Sequence, residues 1–207
     1  MPEWITLPGH TEYSRAIKLM EQKLQAVIEG SADEAIFLLE HHDVYTAGTS
    51  FNKAELLEPD KFPVIYTGRG GKFTYHGPGQ LIIYPILDLR KQNCTKDIKL
   101  YVRNLEKWII NTLAQLNVKA YTIKDMVGIW VELNNAPAKI AAIGVRVRKW
   151  VTYHGVAVNI STNIENYSGI IPCGIDNFSV TSLNKLGVDI SVQEFSSILK
   201  EEFNKIF

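Results

Sequence analysis

Apolar residues recur at three- and four-residue intervals between positions 11 and 29: Ala16, Ile17, Met20, Leu24, Val27 and Ile28, closed by Gly30. That period predicts an amphipathic helix with a glycine stop. A second helix is predicted from near Lys96, with Ile98, Val102, Leu105, Ile109, Leu113 and Leu116 on one face. A third starts at the capping box Ser191-x-x-Glu194 and carries Phe195, Leu199, Phe203 and Ile206. Between the helices the pattern shortens to apolar runs. AIFLLEH (35–41) reads as a buried strand, and PVIYTG and QLIIYPIL as further strands around a glycine-rich loop. VKAYTI, VGIWVEL, KIAAIGVRVRKW and VTYHGVAVNI predict four more, and the Asn, Asn and Pro of ELNNAPAK suit a hairpin turn. Helices interspersed with consecutive strands predict an α+β fold. No repeat, low-complexity tract or linker divides the chain, so residues 1–207 are expected to form a single domain.

Composition narrows the function classes. Lys plus Arg and Asp plus Glu each total 22, giving no net charge, which argues against a broad nucleic-acid footprint or a polybasic membrane anchor. No apolar run approaches the roughly 20 residues that span a bilayer. The N-terminal MPEWITLPGHTEYSRAI has no charged and then apolar pattern of a signal peptide. Two cysteines make no disulfide framework, so a reduced, intracellular protein with free thiols is expected.

The densest chemistry lies in TGRGGKFTYHGPGQ (67–80), where five of fourteen residues are glycine. Arg69, Lys72, Thr74, Tyr75, His76 and Gln80 crowd among those glycines. The backbone there can approach a ligand closely, the two cations can hold an anion, and Tyr75 and His76 can line a pocket. Nucleotide motifs fail on inspection. Gly71-Lys72 is followed by Phe73 rather than Ser or Thr, and GRGGKF breaks the dinucleotide spacing.

Lys139 opens the apolar run KIAAIGV; it is either a partly desolvated proton acceptor or a solvated strand end. Gly144 and Gly155, inside strand-like runs, suggest bulges or a close backbone approach. His154 is either a ligand contact or a satisfied structural histidine. The five histidines show no metal-binding spacing, and His41 and His42, adjacent in a strand, point to opposite faces. Cys173, between Pro172 and Gly174, is either a packing residue or a thiol presented by a sharp turn. Cys94 sits in a polar connector.

Taken together, RGGKFTYHGPGQLIIYPILDL (69–89), KIAAIGVRVRKWVTYHGVAVN (139–159) and IIPCGI (170–175), with HHDVYTAG (41–48) upstream, resemble the lipoate-pathway octanoyltransferases in order and spacing. The likeness covers roughly residues 35–185. One departure is Asp43, where the family commonly carries proline. The resemblance implies a biotin/lipoate protein ligase-like fold, with mixed and antiparallel sheets flanked by helices. It implies a catalytic dyad of Cys173, which carries the acyl group, and Lys139. It assigns the acyl site to Arg69, Gly70, Gly71, Lys72, Phe73, Thr74, Tyr75 and His76, to Ala142, Ile143 and Gly144, and to Gly155, Val156 and Ala157.

The reaction so implied takes an octanoyl group from octanoyl-acyl carrier protein to a lysine of lipoyl domains. The acceptors are those of 2-oxoacid dehydrogenase complexes and the glycine cleavage H protein. This is the first step of endogenous protein lipoylation, in the cytoplasm, with no cofactor, metal, nucleic acid or membrane. The alternative on the same fold is an ATP-dependent lipoate or biotin ligase, which activates its acid as an acyl-adenylate and has no need of a catalytic thiol.

Overall fold

The computed structural model describes residues 1–91, 96–171 and 179–207. Helices form where the apolar period predicts them: α1 (Tyr13–Glu29), α2 (Ile98–Ala114) and α3 (Val192–Phe203). Gly30 ends α1 in the left-handed conformation, with its N–H turned back to the carbonyls of Ala26 and Val27. Asp97 caps α2 by accepting from the Leu100 N–H. The predicted capping box opens α3: Ser191 accepts from the Glu194 N–H and Glu194 accepts from the Ser191 N–H.

The strands are β1 (Glu3–Thr11), β2 (Ala35–His41), β3 (Val44–Ala47), β4 (Val64–Tyr66), β5 (Phe73–His76) and β6 (Gln80–Ile86). They continue with β7 (Ala120–Ile123), β8 (Met126–Leu133), β9 (Ala136–Arg148), β10 (Val151–Asn159) and β11 (Ser179–Val180). The main sheet runs β1-β2-β6-β10-β9-β8-β7, with β11 added in parallel alongside β9. It is mixed: β1 and β2 are parallel, and the remaining pairs along that path are antiparallel. A small second sheet runs β4-β3-β5. The α+β expectation holds.

Alternation along the central strands sorts side chains between two cores. Ile36, Leu38, Leu81, Ile83, Val156 and Val158 face α2 and α3, while Phe37, Leu39, Ile82, Tyr84 and Ala157 face α1. Each fully buried aliphatic side chain contributes roughly 1.5–3 kcal/mol. Trp108 joins α2 to α3 by donating its indole N–H to the Leu199 carbonyl at 2.8 Å. The hairpin of ELNNAPAK forms as expected, with Asn134 and Asn135 both at positive φ between β8 and β9.

Strands β1, β3 and β5 carry no clear sequence signal. β1 is an edge strand, largely exposed, whose register shifts between Thr6 and His10 where Pro8 and Gly9 interrupt it. β3 and β5 have only four residues each. The glycine-rich stretch 67–80 is therefore two loops with β5 between them. Among the described residues no helix is long and apolar enough to cross a membrane.

Candidate active site

A narrow cavity of about 50 Å³ opens between the small sheet and the face of the main sheet that also carries α1. Arg69, Gly70, Gly71, Lys72, Phe73, Thr74 and His76 line it from one side. Ala142, Ile143 and Gly144 of β9 and Gly155, Val156 and Ala157 of β10 line it from the other. The register explains this floor: Ala142 pairs with Ala157 and Gly144 with Gly155, so small residues meet across the two strands. Tyr75 does not line the cavity. Alternation along β5 turns its ring away from Thr74 and His76, to pack near Tyr45, Phe62 and Tyr167. Its hydroxyl donates to Asp43 and accepts from Asn166 Nδ2 at 2.8 Å, so the residue that departs from the family's proline anchors this ring. Burial, then Asp43, push the Tyr75 phenol well above its ordinary range.

The 69–71 loop is held by its own arginine. Arg69 is 7% exposed and donates through Nη2 to Thr46 O and Oγ1, both at 2.7 Å, and through Nη1 to the Gly70 carbonyl at 3.0 Å. Gly70 N–H donates to the Val145 carbonyl of β9 at 3.1 Å, which docks the loop on the main sheet. A Cβ on Gly144 would stand 2.9 Å from the Gly70 carbonyl and 3.2 Å from Arg69 Cδ. The close approach that Gly144 permits is thus that of this loop. Lys72 pairs with the buried carboxylate of Glu55. Both cations that could hold an anion are engaged inside the protein.

Lys139 is buried, at 6% exposed, rather than a solvated strand end. β8 and β9 slip by one residue between the pairs Trp130–Lys139 and Ile129–Ala141, which places a bulge at Ile140. Ile140 and Ala141 both join the α2/α3 core, so Lys139 and Ala142 fall on the cavity side. The Lys139 ammonium donates to the Val127 carbonyl at 3.2 Å and lies 4.7 Å from the centre of the Trp130 ring. Its aliphatic stem crosses Gly128, where a Cβ would stand 3.2 Å from Lys139 Cε. Lys139 is not itself part of the cavity lining; it precedes the lining residues on the same strand.

Cys173, Pro172 and Gly174 lie outside the described residues, as does Cys94. The chain on either side of that segment is fixed. Ile171 donates its N–H to the Glu55 carbonyl at 2.8 Å, and Val180 of β11 pairs with Lys139.

Two buried histidines, His76 and His154, line the cavity, and a third, His41, packs beside His76. His41 donates Nδ1–H to the Thr11 carbonyl at 2.9 Å, so its Nε2 accepts from the Tyr84 hydroxyl, also at 2.9 Å. Burial brings the His41 imidazole down to about 4. His76 donates to Gln80 Oε1 at 2.7 Å and is held well below its ordinary range, by burial first and then by His41 and Arg69. Burial, with Arg69 and Arg146 adding to it, brings His154 down to about 3. All three are neutral, and no group of metal ligands forms among the described residues. His42, one residue beyond the end of β2, is exposed. Ile82 and Tyr84, from the apolar run after Gln80, also line the cavity, and so does Tyr13, which no motif announces. Ile82 and Tyr84 share a strand face two residues apart, and only the position of α1 brings Tyr13 to them. His154, left open by its sequence context, lines the cavity too.

The chain matches the lipoyl protein ligase A/B catalytic domain over residues 12–204. A protein named octanoyltransferase from Rickettsia bellii is 60% identical, with 100% of both chains covered. Another of that name, from Rickettsia canadensis, is 57% identical over the same full coverage. Among solved structures, a bipartite lipoate protein ligase from Thermoplasma acidophilum aligns with a TM-score of 0.75 at 16% identity, covering 100% of this chain and 84% of that one. A biotin protein ligase from Aquifex aeolicus aligns with a TM-score of 0.59 at 12% identity, covering 99% and 70%. At these identities the structural likeness shows the fold, which is that of the lipoate and biotin protein ligases.

Proposed function

We propose that this chain, which belongs to the lipoyl protein ligase A/B catalytic-domain family, transfers octanoyl from octanoyl-acyl carrier protein to a lysine of lipoyl domains by way of a thioester on Cys173. The chain is an acyltransferase, as its full-length relatives are named. The acceptors in this reading are lipoyl domains of 2-oxoacid dehydrogenase complexes and the glycine cleavage H protein. Residues 1–207 act as one catalytic unit, and the product begins protein lipoylation in the cytoplasm.

The observation that carries the reading is the setting of Lys139. Its amine is buried on the cavity side of β9, and the chain that follows Cys173 pairs with that same residue through Val180. The ammonium of Lys139 favours the Cys173 thiolate. The thiolate attacks the octanoyl carbonyl and the bond to the carrier thiol breaks; that thiol leaves with the proton of the Lys139 ammonium, which becomes a neutral amine. The acceptor amine then attacks the enzyme thioester, Lys139 takes the amine's proton, and Cys173 leaves as thiolate. The cavity over Ala142, Gly144, Gly155 and Ala157 receives the apolar chain. Thioester to amide is downhill, so the transfer needs no ATP.

Incubation with octanoyl-acyl carrier protein should add the mass of one octanoyl group, and Cys173→Ser should remain unmodified. A wild-type protein that stays unmodified overturns the covalent route. Transfer that requires ATP and survives Cys173→Ala would replace it with the ligase reading.

A further inference from the structure

One short segment, residues 48–58, touches both the cavity loop and the chain that leads to Cys173. At its start, Gly48, Thr49 and Ser50 donate their N–H groups to the carbonyls of Lys72, Arg69 and Gly71 at 3.1, 2.9 and 3.0 Å. At its end, Leu57 and Glu58 both donate to the Gly169 carbonyl, at 2.8 and 3.0 Å, and Leu56 bridges Ile170. Between them Lys53–Glu55 form a single turn of 3₁₀ helix.

Glu55 is the residue of this turn that reaches both ways. Its backbone carbonyl accepts the Ile171 N–H at 2.8 Å, two residues before Cys173. Its side chain is buried, the whole residue being 6% exposed. Oε2 accepts from the Asn52 N–H at 3.2 Å and closes the residue's own turn, while Oε1 takes the Lys72 ammonium. Lys72 in turn lines the cavity. A buried carboxylate is strongly destabilising without its cation, so the pair fixes both partners in place. No motif marks Glu55, which lies in FNKAELLEP (51–59).

We propose that Glu55 is a positioning residue: gripping Lys72 through its carboxylate and Ile171 through its carbonyl, it sets the chain entering Cys173 against the acyl site. This rests on the acyl-transfer reading above. Glu55 meets no substrate and acts through those two neighbours. An attacking atom must come within about 3–3.5 Å of its target, and a misplacement of about 1 Å lowers the rate roughly a hundredfold. The cavity loop has further supports in Arg69 and in the N–H groups of residues 48–50. Loss of the Glu55 charge therefore disturbs alignment more than acyl binding.

The test compares wild type with Glu55→Gln, Glu55→Asp and a control, Glu202→Gln. Glu55→Gln keeps the shape and loses the charge, and Glu55→Asp keeps the charge on a shorter stem. Glu202 is also buried and paired with a lysine, Lys205, but stands on α3, outside the cavity lining. Self-acylation by octanoyl-acyl carrier protein is followed by mass over a range of donor concentrations. The maximal rate should fall about tenfold or more in Glu55→Gln, with the half-saturating concentration little changed. Glu55→Asp should recover part of the rate. Glu202→Gln should lower the urea midpoint and leave the rate intact. A wild-type maximal rate in Glu55→Gln overturns the proposal, as does a loss confined to half-saturation or an equal loss in Glu202→Gln.

Amide exchange at Ile171 reads the grip without the chemistry. It should quicken about tenfold or more in Glu55→Gln and stay slow in Glu202→Gln. A wild type that acquires no octanoyl, while Ile171 exchange quickens in Glu55→Gln, would sink the transferase reading and leave this inference standing. Unchanged exchange at Ile171 overturns it whether or not transfer occurs. Glu55→Asp carries both readouts if the glutamine variant does not fold, and wild-type values there overturn the proposal.

Discussion

Val180 lies beside Lys139 in parallel register, and Thr181 donates its N–H to the Lys139 carbonyl at 2.9 Å. β10 pairs with β9 only from Ala141 onward. β11 takes its place beside Ala138 and Lys139, so the chain after Cys173 returns onto the strand position of the lysine. One stretch of β9 thereby holds the amine, anchors the segment that follows the cysteine and supplies the cavity floor.

Lys139→Met keeps an unbranched stem over Trp130 and removes the amine. The protein should fold, with octanoyl transfer reduced about 10²- to 10⁴-fold, the usual range for losing a general base. Product mass on a lipoyl domain reads the rate. Transfer within a few-fold of wild type would remove Lys139 from the chemistry.

Gly128 holds the lysine in place by lacking a side chain. Its φ is +129°, and a Cβ there would stand 2.9 Å from the Ala141 carbonyl and 3.2 Å from Lys139 Cε. Gly128→Ala should therefore destabilise the protein by about 1–3 kcal/mol and lower transfer. Gly187→Ala is the control: its φ is +78° with nothing within 4 Å of the new methyl, so it should lower the urea midpoint and leave transfer intact. Equal effects of the two on transfer would show that strain alone, not the displaced lysine, is responsible.

Arg69→Lys retains the charge and loses the planar fork. The guanidinium donates to Thr46 through both Nε and Nη2 and to Gly70 through Nη1, and an ammonium at the end of a flexible stem cannot repeat that set. A loss of about 2 kcal/mol in urea unfolding is expected, from hydrogen bonds to a charged group. The KM for the acyl donor should rise as the 69–71 loop loosens. An unchanged midpoint would mean that the docking of Gly70 on Val145 holds the loop by itself.

Acid should destabilise the fold through its buried histidines. His41 is brought down to about 4 and His154 to about 3, whereas an unfolded histidine titrates near 6.5. Above about pH 6.5 both are neutral in either state, and the stability is full. As pH falls from there towards 4, the unfolded chain binds protons that the folded chain refuses. At pH 5 the loss is about 2 kcal/mol for each of the two. Urea midpoints at pH 7.5 and 5 measure it, and His41→Gln should flatten the slope. A midpoint independent of pH over this range would mean that these imidazoles accept protons in the folded state.

The helices were legible because an amphipathic period and a cap are local properties. Ser191 and Glu194 lie three residues apart, and Gly30 directly follows the last periodic turn of α1. Loop 69–76 and the small residues of β9 and β10 were legible as motifs. Their meeting was not, since Gly144 faces Gly155 only through strand pairing. Tyr75 shows the limit of motif reading: it sits among cavity residues in sequence and is turned out of the cavity by the pleat of β5.

The amino-acid sequence by itself determined the helices, most of the main-sheet strands and the family likeness, all properties of near neighbours and residue types. Only the tertiary structure decided that Lys139 is buried over Trp130, that Arg69 braces its own loop, and that a left-handed backbone sets His154 against Tyr153 and Tyr84. Beside Lys139 stands a bulge and at His154 a left-handed residue, each an irregularity that alters which face a side chain meets. The cause is the two-residue period of a strand, in which a single local irregularity moves a residue from one core to the other.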